Sequence, residues 1–278
     1  MDALNNNGID YSRRLNISDR SHLVTALHRK IKTRLREIRN DNIWLDPEDI
    51  CYSFKPAKLG LRTHHLVDGP WQDFVDSYER VKEAVEKLYR IELSNEEKEA
   101  DLEQFNRLRE ILKRFDLVKD TVMLINSEIK AGKRILVEDC SSSSLDIDTG
   151  IYPYTSSYHT TTGAVCTGLG VPEEAIETSI GVMSAMTIID RVFLKHIKNF
   201  PSQVLETEPC HQHLTQKLTR EYGLPEAEFE LGWTDLNLVM QAEQLNKMSG
   251  IFLTHLDLLD ELDEIKLCTG YKRVTEDG

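Results

Sequence analysis

Residues 134–170 read RILVEDCSSSSLDIDTGIYPYTSSYHTTTGAVCTGLG. The stretch opens on a short apolar run, Arg134–Glu138, placed just after a helical pattern. Such a run, bounded by turn residues, is the mark of a buried parallel strand. Hydroxyls, glycines and acids then crowd together where that strand ends. Ligands of open α/β sheets bind beyond the carboxyl ends of the strands, and short hydroxyls with loop amides suit a phosphate monoester. A Ser/Thr-rich surface loop has the same composition, so chemistry alone leaves both readings open.

Downstream, Ile180–Met186 and Ile251–Thr254 read as further strands, with Ile265–Leu267 as another. Helical patterns lie between them at Pro172–Ser179, Cys210–Glu221 and Thr234–Lys247. Alternating strands and helices predict an α/β fold with a mostly parallel sheet flanked by helices.

Upstream, the period is helical. Ser18 or Asp19 is positioned to cap a helix through Leu23, Leu27, Ile31, Leu35 and Ile38. Asn40–Asp49 reads as a loop, and Lys55–Arg62 as a short basic, glycine-containing segment. After Pro70, Trp71, Phe74, Val75, Tyr78, Val81, Val85 and Leu88 form an apolar stripe. Ser94 and Glu97 make a capping box for the next helix, through Leu102, Phe105, Leu108 and Leu112. A fourth helix runs over Leu117–Lys130 and is ended by Gly132. The expectation is one domain over 1–278, mostly helical over 1–131 and sheet-forming over 132–278, with the helical part an insertion or cap.

The chain has 34 basic and 47 acidic residues, a formal net charge of -13. Such a surface repels phosphate polymers and anionic membranes, so neither nucleic acid nor membrane is an expected partner. The five cysteines, Cys51, Cys140, Cys166, Cys210 and Cys268, are widely spaced and odd in number. They read as reduced thiols, and with no signal-like or membrane-length apolar run the expected compartment is the cytoplasm, with the nucleus as alternative.

Leu145-Asp146-Ile147-Asp148, Gly150, Tyr152-Pro153, Thr160-Thr161 and Cys166-Thr167-Gly168-Leu169-Gly170 resemble, in order and spacing, the LDID-x-G-x-YP, TSS-x-TT and CTGLG motifs of adenylosuccinate synthetases. Thr254-x-x-Asp257 followed by LLDELDEIKLC is similar to that family's TKLDVLD-x-LDEIK-x-C. Ile17-Ser18-Asp19-Arg20 with His22-Leu23-Val24 is similar to its ISDRAHLV. Phe200-Pro201, Gly232-Trp233 and Asp235 match further landmarks. The order holds from about residue 8 to residue 272.

The resemblance implies a P-loop-related α/β fold and a known chemistry. The family joins IMP and aspartate with GTP and Mg²⁺: GTP phosphorylates the purine 6-oxygen, and the aspartate amine displaces that phosphate. It also implies losses here. The family's phosphate loop, and its acid–base Asp and His, lie upstream of ISDR, and no glycine-rich nucleotide loop occurs in these 278 residues. The TTGRG-x-GPAY stretch corresponds to PEDICYSFKPAKLGLR. An arginine that reaches the neighbouring subunit's IMP aligns with Lys58, which keeps charge without a two-pronged donor. Two further IMP contacts align with Ser141, in place of glutamine, and Ser156, in place of threonine. The guanine-reading TKLD becomes Thr254-His255-Leu256-Asp257. The Arg-rich aspartate clamp before Gly-Trp becomes LPEAEFEL, with Glu226, Glu228 and Glu230 where arginines belong; acids there repel carboxylates and phosphates.

The sequence thus reads as a truncated, degenerate family member with no catalytic residue assigned and no resident cofactor or metal expected. Cys210-His211-x-His213 is too sparse for a metal site. His64-His65 reads as surface histidines, Ser141–Ser144 as a polar loop, and Asp260–Glu264 as a structural turn. Three functions compete: a pseudoenzyme that pairs with itself, with an intact synthetase or with another protein, through the Trp71–Leu88 face and its neighbours; a residual IMP or GTP binder using Lys58, Ser156, Thr160 and Thr161; and a piece or product of an active synthetase.

Overall fold

The structure is a computed structural model that describes residues 14–39, 45–139, 141–190, 211–223, 225, 229–260 and 262–271. Phe200-Pro201, Cys140, Cys210, Glu226 and Glu228 lie outside the described residues. The chain divides into two compact units. The first comprises residues 1–139, 156–159 and 165–172; the second comprises 140–155, 160–164 and 173–278.

The first unit is helical. A parallel pair, β1 (Ile17–Ser18) with β2 (Val118–Lys119), closes it. Between the two run α1 (Ala26–Arg39), α2 (Pro47–Ala57), α3 (Thr63–Val67), α4 (Trp71–Tyr89) and α5 (Asn95–Arg114); α6 (Thr121–Lys130) follows β2. The expected first helix starts late. Ser18 is in β1, where pairing to β2 replaces capping, and α1 begins only at Ala26. Likewise Leu117–Lys130 is not one helix, because Val118–Lys119 forms β2. The loop expected at Asn40–Asp49 gives way to α2 at Pro47, a residue suited to the first helical turn.

The stripe on α4 buries Phe74, Tyr78 and Val85 against Leu27 and Ile31 of α1, Phe54 of α2 and Phe105 and Leu112 of α5. Leu88 is 64% exposed and falls off that stripe. Ser94 caps α5 as expected: its Oγ accepts the Glu97 N–H at 3.2 Å, and the Glu97 carboxylate accepts the Ser94 N–H at 2.9 Å. Gly132 follows α6 at φ +73°, a conformation that costs glycine little. Asp101 is buried at the centre. It accepts the Ala26 N–H at 2.7 Å and the Tyr78 hydroxyl at 2.8 Å, and pairs with Arg29 at 3.2 Å. One carboxylate therefore joins α1, α4 and α5.

Arg134–Glu138 is not a strand. The segment carries no ladder hydrogen bonds and exposes Leu136 at 94%. An apolar run becomes a strand only when a neighbour pairs with it, and none does among the described residues.

Helix α7 (Gly163–Leu169) has its first two residues in the second unit and the rest in the first. The second unit carries β3 (Ile180–Ser184), β4 (Thr187–Asp190), α8 (His211–Tyr222), β5 (Phe229–Gly232), β6 (Thr234–Asp235), α9 (Leu236–Asn246), β7 (Gly250–Thr254) and β8 (Leu267–Cys268). Strands β3 and β7 pair in parallel from Ile180↔Gly250 to Ser184↔Thr254. Strands β6 and β8 are also parallel, whereas β4 and β5 are antiparallel. The core gathers Leu214 and Leu218, one turn apart on α8, with Met186, Phe229, Leu231, Trp233, Leu258 and Leu259. Pro172–Ser179 holds only a short 3₁₀ turn at Glu173–Ala175 rather than a helix. Thr234–Asp235 pairs as β6 before α9 begins, with Asp235 accepting the Asn237 N–H at 2.9 Å as its cap.

Candidate functional site

The LDID turn is built around Asp146. Its side chain, 1% exposed, accepts the N–H groups of Asp148 (3.0 Å), Thr149 (3.0 Å) and Thr160 (2.8 Å), and the Thr149 hydroxyl at 3.2 Å. Burial alone pushes its carboxyl up. The N–H groups of Thr149, Thr160 and Asp148 stabilise the anion and reverse that, holding it at about 2. Gly150 is obligatory here: a Cβ would lie 2.4 Å from the Asp146 carbonyl oxygen and 2.5 Å from that of Ser144.

The same turn is fastened by the serine run. Ser142 Oγ lies 2.7 Å from Ser144 Oγ, and the Ser142 carbonyl accepts the Thr160 hydroxyl at 2.9 Å. Asn246, at the end of α9, accepts the Thr162 N–H at 2.8 Å and donates to Ser143 Oγ at 2.8 Å. Sequence reasoning missed Asn246, which sits about a hundred residues from the turn it ties down. The stretch read as a polar loop is thus a cross-braced turn, with Ser141 half-buried at its start.

In the first unit, the Ser156 hydroxyl donates to the Tyr158 carbonyl at 2.8 Å. The adjacent Ser157 donates to Asp49 at 2.9 Å, and the Tyr158 ring lies 6.0 Å edge-on from that of Tyr52. This loop is therefore fastened near the start of α2. Lys58 is exposed at the far end of the same helix, in the left-handed conformation (φ 61°) that terminates it. Nine residues of helix from Asp49 to Lys58 span about 14 Å along the axis. His64 and His65 are half-buried rather than on the surface: His64 Nδ1 lies 3.0 Å from the Asp19 carbonyl, and His65 Nδ1 accepts the Arg62 N–H at 3.0 Å. Among the described residues no three His, Cys, Asp or Glu side chains gather as a metal would require.

In the second unit, Thr254 ends β7, paired with Ser184 at the end of β3, and Asp257 lies in the 3₁₀ turn that follows. Thr254 Oγ1 donates to the Met183 carbonyl at 3.2 Å and lies 3.1 Å from His255 Nδ1, which is 3.2 Å from Ser184 Oγ. The Tyr222 ring stands edge-on to His255, centroids 4.5 Å apart, and its hydroxyl lies 3.0 Å from both Asp257 carboxylate oxygens. Lys217 donates to the Asp257 carbonyl. Tyr222 and Lys217 carry no sequence signal linking them to a residue 35 to 40 positions away. Of the acids standing for the Arg clamp, Glu230 lies in β5, beside Gly232-Trp233.

The adenylosuccinate synthetase family model matches residues 1–278. The chain belongs to the adenylosuccinate synthetase family. Adenylosuccinate synthetase 1 of Laccaria bicolor is 36% identical over 277 residues, covering 98% of this chain and 61% of its own length. The Schizosaccharomyces pombe synthetase is 35% identical, covering 98% of the chain and 60% of its own length. The chain thus spans about three fifths of the curated relatives it matches. The fully ligated Plasmodium falciparum synthetase shares the fold, with a TM-score of 0.80 over 96% of this chain and 61% of its own, at 24% identity. The α/β architecture expected from the motifs is therefore the family's. No helix among the described residues is long and apolar enough to cross a membrane.

Proposed function

We propose that the chain is a non-catalytic relative within purine nucleotide metabolism that acts by binding a protein partner, in the cytoplasm. The observation that carries this is the β3–β7 pair. A two-stranded parallel sheet has no means of standing alone, because parallel strands are normally covered on both faces. Here Val182 is 70% and Phe252 63% exposed, with Ile180, Ile251 and Leu253 also open. Contiguous apolar strand surface of this kind marks an interaction site. The chemistry of the retained residues agrees. Asp146 is saturated by its own turn, and Glu226, Glu228 and Glu230 stand where the family's clamp carries arginines. The stripe on α4 buries Phe74, Tyr78 and Val85 in its own core, which favours β3–β7 over Trp71–Leu88 as the binding surface.

The partner of first choice is an intact synthetase or a second copy of the chain. Purified chain mixed with an intact synthetase and resolved by size with light scattering should give a complex of defined mass. Recovery of both proteins as unmixed monomer and native enzyme across the micromolar range would sink the proposal. A second reading, residual purine-nucleotide binding, is favoured by one specific arrangement: Ser184, Thr254 and His255 contact one another where α/β folds bind ligands, and Tyr222 links His255 to Asp257.

A further inference from the structure

The helix α8 grips the turn after β7 at two points, both at Asp257. Lys217 donates to its carbonyl, and Tyr222, one and a half turns further on, reaches both carboxylate oxygens at 3.0 Å. Tyr222 also stands edge-on to His255. Asp257, Tyr222 and Thr254 are all exposed. A carboxylate with both oxygens turned to one donor is the receptor for a heterocycle bearing two adjacent N–H groups. Tyr222 is the last residue of α8, and Gly223 follows at φ +69°, so the ring is held at a helix terminus.

We infer that Tyr222 is an internal occupant of the base-reading site, competing with a guanine for the Asp257 carboxylate. This rests on the purine-binding reading of Thr254 and Asp257. The hydroxyl takes the place that the N1 and N2 hydrogens of guanine would fill, and the ring stands edge-on against His255 beside it. Any guanine nucleotide must first break the Tyr222–Asp257 bond and swing the ring aside. An adenine, which offers no such pair of donors, gains nothing from that opening.

The test is titration of GMP and AMP into the full chain by ligand-observed NMR, with Tyr222→Phe, Tyr222→Ala and Asp257→Asn alongside the wild type. Tyr222→Phe removes only the hydroxyl, and Tyr222→Ala removes the ring as well. Either should bind GMP about fivefold more tightly than the wild type, the value of one net hydrogen bond in water, with AMP unchanged. Asp257→Asn should weaken GMP. Equal GMP affinity for the wild type and both Tyr222 variants, with Asp257→Asn still weakening it, overturns the competition while leaving the guanine site standing. No GMP binding by any of the four proteins at millimolar concentration overturns both.

Discussion

Asp146 accepts at least four hydrogen bonds while almost fully screened from water. Three come from the backbone N–H groups of Asp148, Thr149 and Thr160, so its charge organises the turn. Asp146→Ala leaves the buried Thr160 N–H without its acceptor and turns the exposed Asp148 and Thr149 N–H groups to water, and should cost about 2 kcal/mol by urea denaturation. The sign with pH follows from the carboxyl being held down, at about 2 against an ordinary 3.8. Its contribution is full above pH 4 and is lost as pH falls through 2, because the unfolded chain takes up the proton first. Gly150→Ala should destabilise the same turn, since the Cβ meets backbone rather than a side chain that can swing away. At this scale the motifs were legible as landmarks and their role as turn residues followed. What Asp146 holds was not legible, because Thr160 and Asn246 reach the turn only through the fold.

At the scale of elements, α1, α4 and α5 meet at Asp101, and the Tyr78 hydroxyl is kept protonated by its burial and by that carboxylate. Tyr78→Phe should cost about 1 kcal/mol and Asp101→Ala about 3 kcal/mol, the latter leaving Arg29 and the Ala26 N–H without their acceptor. Beside them, His28 is buried against Phe54, with its Nδ1 accepting the Thr25 N–H at 2.8 Å. Burial lowers it to about 4. The unfolded chain therefore binds a proton that the folded chain refuses between pH 6.5 and 4, and stability falls as pH drops through that window. His28→Leu should flatten this part of the pH–stability curve, read by thermal melts from pH 7 to 4. The helices with strong periodicity and caps, α4 and α5, were readable because local sequence suffices to specify them. Arg134–Glu138 was misread as a strand because an apolar run specifies burial and not a pairing partner, and the β1–β2 pair was missed because two-residue strands carry no period.

For the whole molecule, the distribution of exposed apolar surface sets the expectation. The first unit closes its core around α4, whereas β3 and β7 of the second leave apolar side chains open. Val182→Ser and Phe252→Ser together should change the stability of the isolated chain by less than about 0.5 kcal/mol, as exposed substitutions do, while abolishing complex formation with an intact synthetase. A large loss of stability would mean these residues are already covered in the chain itself. The family was legible from ordered motifs, but the open β3–β7 face was not, since its exposure depends on which strands find neighbours. The non-catalytic reading is tested most directly by supplying the purified chain alone with IMP, aspartate, GTP and Mg²⁺ and following adenylosuccinate by its absorbance. The account predicts no product above the protein-free rate, and turnover that scales with chain concentration would contradict it.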